Sequence, residues 1–165
     1  MVKSLLIVLS LAAAGQASAL DWQRPDCAAY QRESECFNAM QNDYRQAKQN
    51  EFRDEGLSFW YYERPDFSVN EAAQKALDDK LEGALLVSFT VERDGSVSNV
   101  VLKDKSSDEV TVYAAPIITA VSNWQFVPTD TRKPDREWRF AFLFEKDECE
   151  KGEEKECDSK ADSDK

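Results

Sequence analysis

The stretch from Gly83 to Glu145 constrains this chain more than any other. It reads as strand, tight turn, strand, helix, aromatic corner and strand. In Ala84 to Glu92, alternation places Leu85, Val87, Phe89 and Val91 on one face, the period of a half-buried strand. Asp94-Gly95 follows, a pair that tolerates the positive φ angles of a tight hairpin. Val97 to Lys103 returns as a second strand. Tyr113, Ile117, Ala120, Val121 and Trp124 then recur at helical spacing. Trp138 to Glu145 closes the unit as an aromatic strand. The expected fold class is α+β: a β-β-α-β unit over residues 71–146, a small antiparallel sheet with one helix packed on it. Such a sheet leaves strand edges with unpaired amides, which can capture an extended peptide.

The first residues read as an export signal. Lys3 gives a positive start, Leu5 to Ala14 are apolar, and Ala17-Ser-Ala19 is a small-x-small cleavage site. The apolar run is shorter than the roughly 20 residues a membrane-spanning helix needs. Cleavage after Ala19 is expected, leaving Leu20 as the mature N-terminus and no stable membrane span. An uncleaved signal that anchors the chain in the inner membrane is the alternative. The chain carries 21 Lys+Arg against 32 Asp+Glu, a formal charge of −11, which repels nucleic acid and anionic lipid. Much of the excess lies in residues 147–165, which lack apolar periodicity and read as an acidic, disordered tail.

Between leader and sheet, residues 20–56 form an N-terminal helical extension with a helix expected over Cys27 to Glu55. Tyr30, Phe37, Met40, Tyr44 and Ala47 make its apolar stripe, which favours packing against its own domain over partner binding. Gly56 supplies a C-terminal cap. Residues 57–70 are an aromatic strap or linker, with Phe59, Trp60, Tyr61, Tyr62 and Phe67 close together. Burial against the sheet or helix is the favoured reading for so much aromatic surface; a peptide or glycan clamp is the alternative. A short helix is expected over Asn70 to Lys80.

Four cysteines in an exported chain suggest two disulfides among Cys27, Cys36, Cys149 and Cys157, with three connectivities open. Nine residues of continuous helix span roughly 13 Å, whereas bridged Cα atoms lie about 4.4–6.8 Å apart. A Cys27–Cys36 bridge therefore requires that no single straight helix contain both. With no His and no Cys-x-x-Cys pair, no metal site is expected.

Catalytic patterns are scarce: abundant carboxylates leave a paired-carboxylate hydrolase as an alternative, but they fall mostly on helical faces, in turns and in the tail. The absence of His removes the commonest proton-transfer side chain and the Ser-His-Asp and Cys-His arrangements. The five glycines do not cluster into a phosphate loop. No catalytic residue and no cofactor is assigned.

The segment Gly83-Ala-Leu-Leu-Val-Ser-Phe-Thr-Val-Glu-Arg-Asp-Gly-Ser-Val-Ser-Asn-Val100 resembles the first hairpin of the TonB C-terminal domain family. Tyr113 to Val121 is similar to that family's helix, and Trp124-Gln-Phe-Val-Pro128 to its aromatic corner. Trp138 to Glu145 sits where its last strand sits. The resemblance covers about residues 72–145. Independently of the resemblance, Trp124 and Phe126 at the helix exit are expected to anchor the corner in the core, and Pro128 to stop further helix; the resemblance adds a partner. It implies that the backbone of Arg139, Phe140, Ala141, Phe142, Leu143 and Phe144 pairs with a short N-terminal peptide of an outer-membrane transporter. The side chains of Trp138, Phe140, Phe142 and Phe144 are expected to face the core. The family's Tyr-Pro pair is replaced by Ala72-Ala73, and Pro116 falls early in the helix, which predicts a late start or a kink.

The expected function is a non-catalytic periplasmic binding or adaptor protein. It would capture an extended peptide of an outer-membrane transporter or another envelope partner by strand addition. One alternative is a self-contained or homodimeric envelope protein with its sheet edge covered. The other is an anchored energy transducer in outer-membrane transport.

Overall fold

The computed structural model describes residues 20–146. The leader, the acidic tail, Cys149 and Cys157 lie outside the described residues. Helix α1 spans Glu33–Asp54, β1 Phe59–Tyr61, α2 Glu71–Asp78, β2 Gly83–Val91, β3 Val97–Lys105, α3 Ala114–Ser122, β4 Gln125–Phe126 and β5 Lys133–Phe142. Short 3₁₀ turns occupy Phe67–Val69 and Glu109–Tyr113. The fold is α+β, with a three-stranded antiparallel sheet in the order β3-β2-β5 and a separate two-stranded pair, β1-β4.

The alternation of β2 sets the core. Leu85, Val87, Phe89 and Val91 are all buried, and they meet Val110, Tyr113, Ile117 and Val121 from the α3 segment. Trp138, Phe140 and Phe142 of β5 oppose Val87, Leu85 and Gly83 and so point to the same face. Trp138 and Phe142 are buried there, whereas Phe140 and Phe144 are only partly buried. The sheet is covered by more than one helix, since Ala73 and Ala76 of α2 and Phe52 of α1 join the same core.

The hairpin tip is locked to the aromatic corner. Gly95 adopts φ +85°, and a Cβ placed there would lie 1.9 Å from the Phe126 carbonyl oxygen. Phe126 N–H donates to the Gly95 carbonyl at 2.8 Å, and Thr129 N–H to that of Arg93 at 2.9 Å. Trp124 is fully buried, and its indole N–H donates to the Glu63 carbonyl at 2.8 Å.

Several boundaries differ from those read in the sequence. Helix α1 begins at Glu33, because a turn at Cys27 to Tyr30 precedes it. That break lets Cys27 and Cys36 form a disulfide with Cα atoms 5.7 Å apart, as the geometric requirement demanded. Pro116 neither delays nor kinks α3. It lies in the first turn, where a missing N–H breaks no intrahelical bond. The helix ends at Ser122, well before Pro128, which is exposed and stops nothing. Strand β5 starts at Lys133, earlier than expected, and ends at Phe142, leaving Leu143 to Glu145 beyond the ladder. Of the strap aromatics, Phe59, Tyr62 and Phe67 pack against the core, but Trp60 and Tyr61 are exposed. Tyr30, Met40 and Ala47 of the expected stripe also face solvent.

Candidate functional site

Helix α1 runs antiparallel to β5 along its outer side, one of the two sheet edges, with that of β3, that no strand pairs among the described residues. The contacts order the two elements. Near the C-terminal end of α1, Glu55 is ion-paired with Arg136. At its middle, the Tyr44 hydroxyl accepts a hydrogen bond from Arg139 N–H at 2.7 Å. At its start, Glu33 accepts from Lys146 N–H at 2.9 Å, and Ser34 N–H donates to the Glu145 carboxylate at 3.0 Å. A 22-residue helix extends about 33 Å at 1.5 Å per residue, and a ten-residue strand spans about the same length at 3.3 Å per residue. The two elements thus match in length, and the contacts between them fall near the two ends and at Tyr44.

Why α1 lies there follows from its buried residues. Phe52 is 1% exposed and its ring meets Phe59, Phe89, Phe126 and Trp138. Phe37 is buried near the disulfide end. Between them Tyr44 sets its ring edge-on to Trp138, with centroids 5.8 Å apart. The helix ends in a Schellman motif: Gly56 N–H donates to Arg53 O at 2.9 Å and Leu57 N–H to Phe52 O at 2.7 Å, with Gly56 at φ +79°.

The structure does not treat Arg139 to Phe144 uniformly. The Arg139 amide is occupied by Tyr44. Phe144 lies past the ladder, its N–H donating to Glu82 at 3.0 Å and its carbonyl accepting from Arg24 at 2.9 Å. Between these ends, Phe140 to Leu143 line a cleft of about 440 Å³. Backbone direction alternates along an antiparallel strand. Since Arg139 N–H points away from β2, Ala141 presents its N–H and C=O in the same outward direction.

Trp22 and Pro25 form one wall of the cleft, Tyr62, Pro65 and Phe67 another, and Met40 and Tyr44 the helical side. Its charged side chains are Asp21, Arg45, Arg64 and Arg139. The Arg139 guanidinium lies over the Tyr44 ring, 4.7 Å from its centroid. Burial pushes the Tyr44 hydroxyl above the ordinary tyrosine range, while the Arg139 amide and guanidinium pull it back. Burial likewise raises Tyr62, opposed by the charges of Arg45 and Arg64. The cleft is thus largely aromatic, with an excess of positive charge in an acidic protein.

The sequence-derived corner residues stand apart from this cleft. Trp124 and Phe126 are core, and Pro128 is in an exposed loop. The cleft residues Trp22, Arg45 and Arg64 carried no signal in the sequence, whereas Tyr44 did, through its place in the apolar stripe. Among the described residues, no group of three or more His, Cys, Asp or Glu is arranged to hold a metal ion. None of their helices is long and apolar enough to cross a membrane.

No family model matches the chain, and no curated protein does. Among solved structures, the chain is similar to the solution NMR structure of the Pseudomonas aeruginosa TonB CTD. The identity is 19% and the TM-score 0.42, over 55% of this chain and 89% of that chain. The cleft, rather than this likeness, carries the functional reading that follows.

Proposed function

We propose that this chain is a non-catalytic binding protein of the bacterial envelope that captures an extended peptide by adding a strand to the outer edge of β5. The observation that supports this reading is the outward backbone of Ala141, which opens into the cleft rather than onto another strand. Main-chain hydrogen bonds would supply affinity, and the aromatic walls would select side chains. The edge available is short. Tyr44 ends it at Arg139, and the ladder itself ends at Phe142. The partner is an envelope protein, with outer-membrane transporters the class that the resemblance implies. Export with cleavage after Ala19 belongs to the same proposal.

The residue for the test follows from the register. Phe142 opposes Gly83, and its N–H turns toward β2, so proline there breaks the internal ladder. Ala141 faces outward, and Ala141→Pro removes only the donor a peptide would use. Transporter N-terminal peptides and other extended peptides are titrated against both forms. Binding by the parent and a loss of at least tenfold in a folded Ala141→Pro variant are expected. Equal binding by the two would sink strand addition.

A second reading has one observation behind it. Tyr44 already satisfies the Arg139 amide, and a covering helix is a common protection for a sheet edge. In that reading the chain is a self-contained or dimeric envelope protein. It predicts no peptide binding by the parent at all.

A further inference from the structure

The arginines of the cleft stand out against their surroundings. Outside the cleft, Arg24 is paired with Glu33 and Glu82, Arg132 with Glu92, and Arg136 with Glu55, while Arg32, Arg53 and Arg93 are scattered over the surface rather than gathered at one cleft. Arg45, Arg64 and Arg139 line the cleft, and among the described residues none of them is in an ion pair. In a chain with 32 Asp+Glu against 21 Lys+Arg, carboxylates are plentiful, yet the cleft contributes only Asp21.

Ring contacts give the cleft a direction. Tyr62 lies beside Trp138, with centroids 6.1 Å apart, and Phe67 beside Phe142, at 5.6 Å. Arg139 therefore stands at the Trp138 end of the cleft, beside Tyr44 and Tyr62, and Arg45 and Arg64 line the same cleft. Arg139 lies on the Tyr44 ring, Arg45 follows Tyr44 in α1, and Arg64 follows Tyr62 by two residues. The fields of Arg45 and Arg64 converge on the Tyr62 hydroxyl. This is also the end where the Tyr44 hydroxyl takes the Arg139 amide and halts any added strand.

Every strand pair in the sheet is antiparallel. A peptide that continues this pattern on β5 runs from the Leu143 end toward the Arg139 end. Its C-terminal direction leads to the three guanidiniums, and the ladder stops there. We propose that the cleft recognises the C-terminus of a partner polypeptide, with the last residues paired to β5 at Ala141 and the terminal carboxylate seated among Arg45, Arg64 and Arg139. Planar guanidiniums suit a carboxylate, through paired, charge-assisted hydrogen bonds. An internal segment would have to leave past Tyr44 and α1, whereas a chain end need not. This inference rests on the strand-addition reading, and it changes the partner segment from the N-terminal peptide that the resemblance implies to a C-terminal one.

The test uses a pooled library of apolar-rich hexapeptides, each made as a free acid and as a C-terminal amide, applied to the purified chain at low salt. Free acids are expected to bind roughly tenfold more tightly than their amides. The difference should shrink at high salt and disappear in an Arg45→Gln, Arg64→Gln double variant. Both side chains are at exposed positions, so the variant should keep the parent's unfolding midpoint. Equal binding of acids and amides, with binding lost in Ala141→Pro, overturns the carboxylate assignment but leaves strand addition standing. Amides with a final Asp or Glu that bind as tightly as free acids overturn the chain-end assignment. Retention of no peptide in either form overturns both readings.

Discussion

The Tyr44 hydroxyl accepts a hydrogen bond from the backbone N–H of Arg139 at 2.7 Å, across 95 residues of sequence. The same tyrosine ring carries the Arg139 guanidinium. One side chain thus ends the open edge of β5 and holds a cation at that end. Tyr44→Phe keeps the ring and removes the acceptor. An unsatisfied partly buried amide costs on the order of 1–2 kcal/mol, so a lower urea midpoint and faster hydrogen exchange at Arg139 are expected. Peptide binding should persist in this variant, because Ala141 is untouched.

Phe52 fixes α1 against the sheet through four aromatic neighbours. Truncating a buried phenylalanine costs about 3–5 kcal/mol. Phe52→Ala should therefore lower stability by that amount in chemical denaturation. Met40→Ala, at a position 40% exposed on the same helix, should change it by less than about 0.5 kcal/mol. Similar losses from both would contradict the helix phase described.

The hairpin tip depends on Gly95. Alanine there would meet the Phe126 carbonyl oxygen, and its φ of +85° is unfavourable for any L side chain. Since the opposing atom is backbone, the corner itself must move. Gly95→Ala is expected to destabilise by about 2–4 kcal/mol. Gly56→Ala, with nothing within 4 Å of its Cβ, should cost only about 1 kcal/mol for its positive φ. Urea titration of the two variants separates these outcomes.

Alkaline stability should be governed in part by Tyr113. Burial pushes its hydroxyl up to about 12, and the hydroxyl donates to the Leu81 carbonyl at 3.0 Å. The native state binds this proton more tightly than the unfolded state does. The stability it contributes is therefore complete below pH about 10, the ordinary tyrosine value, and is lost as pH rises toward 12. Tyr113→Phe should lose stability at neutral pH with the hydrogen bond, yet show a flatter decline between pH 10 and 12.

Local periodicity made the sheet legible. Alternation alone puts Leu85, Val87, Phe89 and Val91 on one face, and the position of Gly56 after a helical run marks it as a cap. The phase of α1 is legible only in part: Phe37 is buried and Tyr44 packs against the core, as the stripe predicts, but Phe52 lies outside that stripe. The helix's buried residues include Phe37 and Phe52, but Lys48 occupies the intervening stripe and lays its ammonium 5.8 Å over the Phe52 ring. A charged residue at that position disguises the buried face. The exposure of Trp60 and Tyr61 was equally hidden, because the pairing of β1 with the two-residue β4 is too short to leave a periodic trace. The cleft was invisible for a different reason. Arg45, Arg64 and Arg139 come from α1, the segment after β1, and β5, and only tertiary packing brings them to one cleft.

Hydrogen exchange at the Ala141 amide tests the central claim most directly. In the unliganded monomer this amide should exchange much faster than that of Phe142, which faces β2, and saturating peptide should slow it by at least tenfold. Slow exchange at Ala141 without peptide, or no change on adding one, would contradict an edge open to a partner strand.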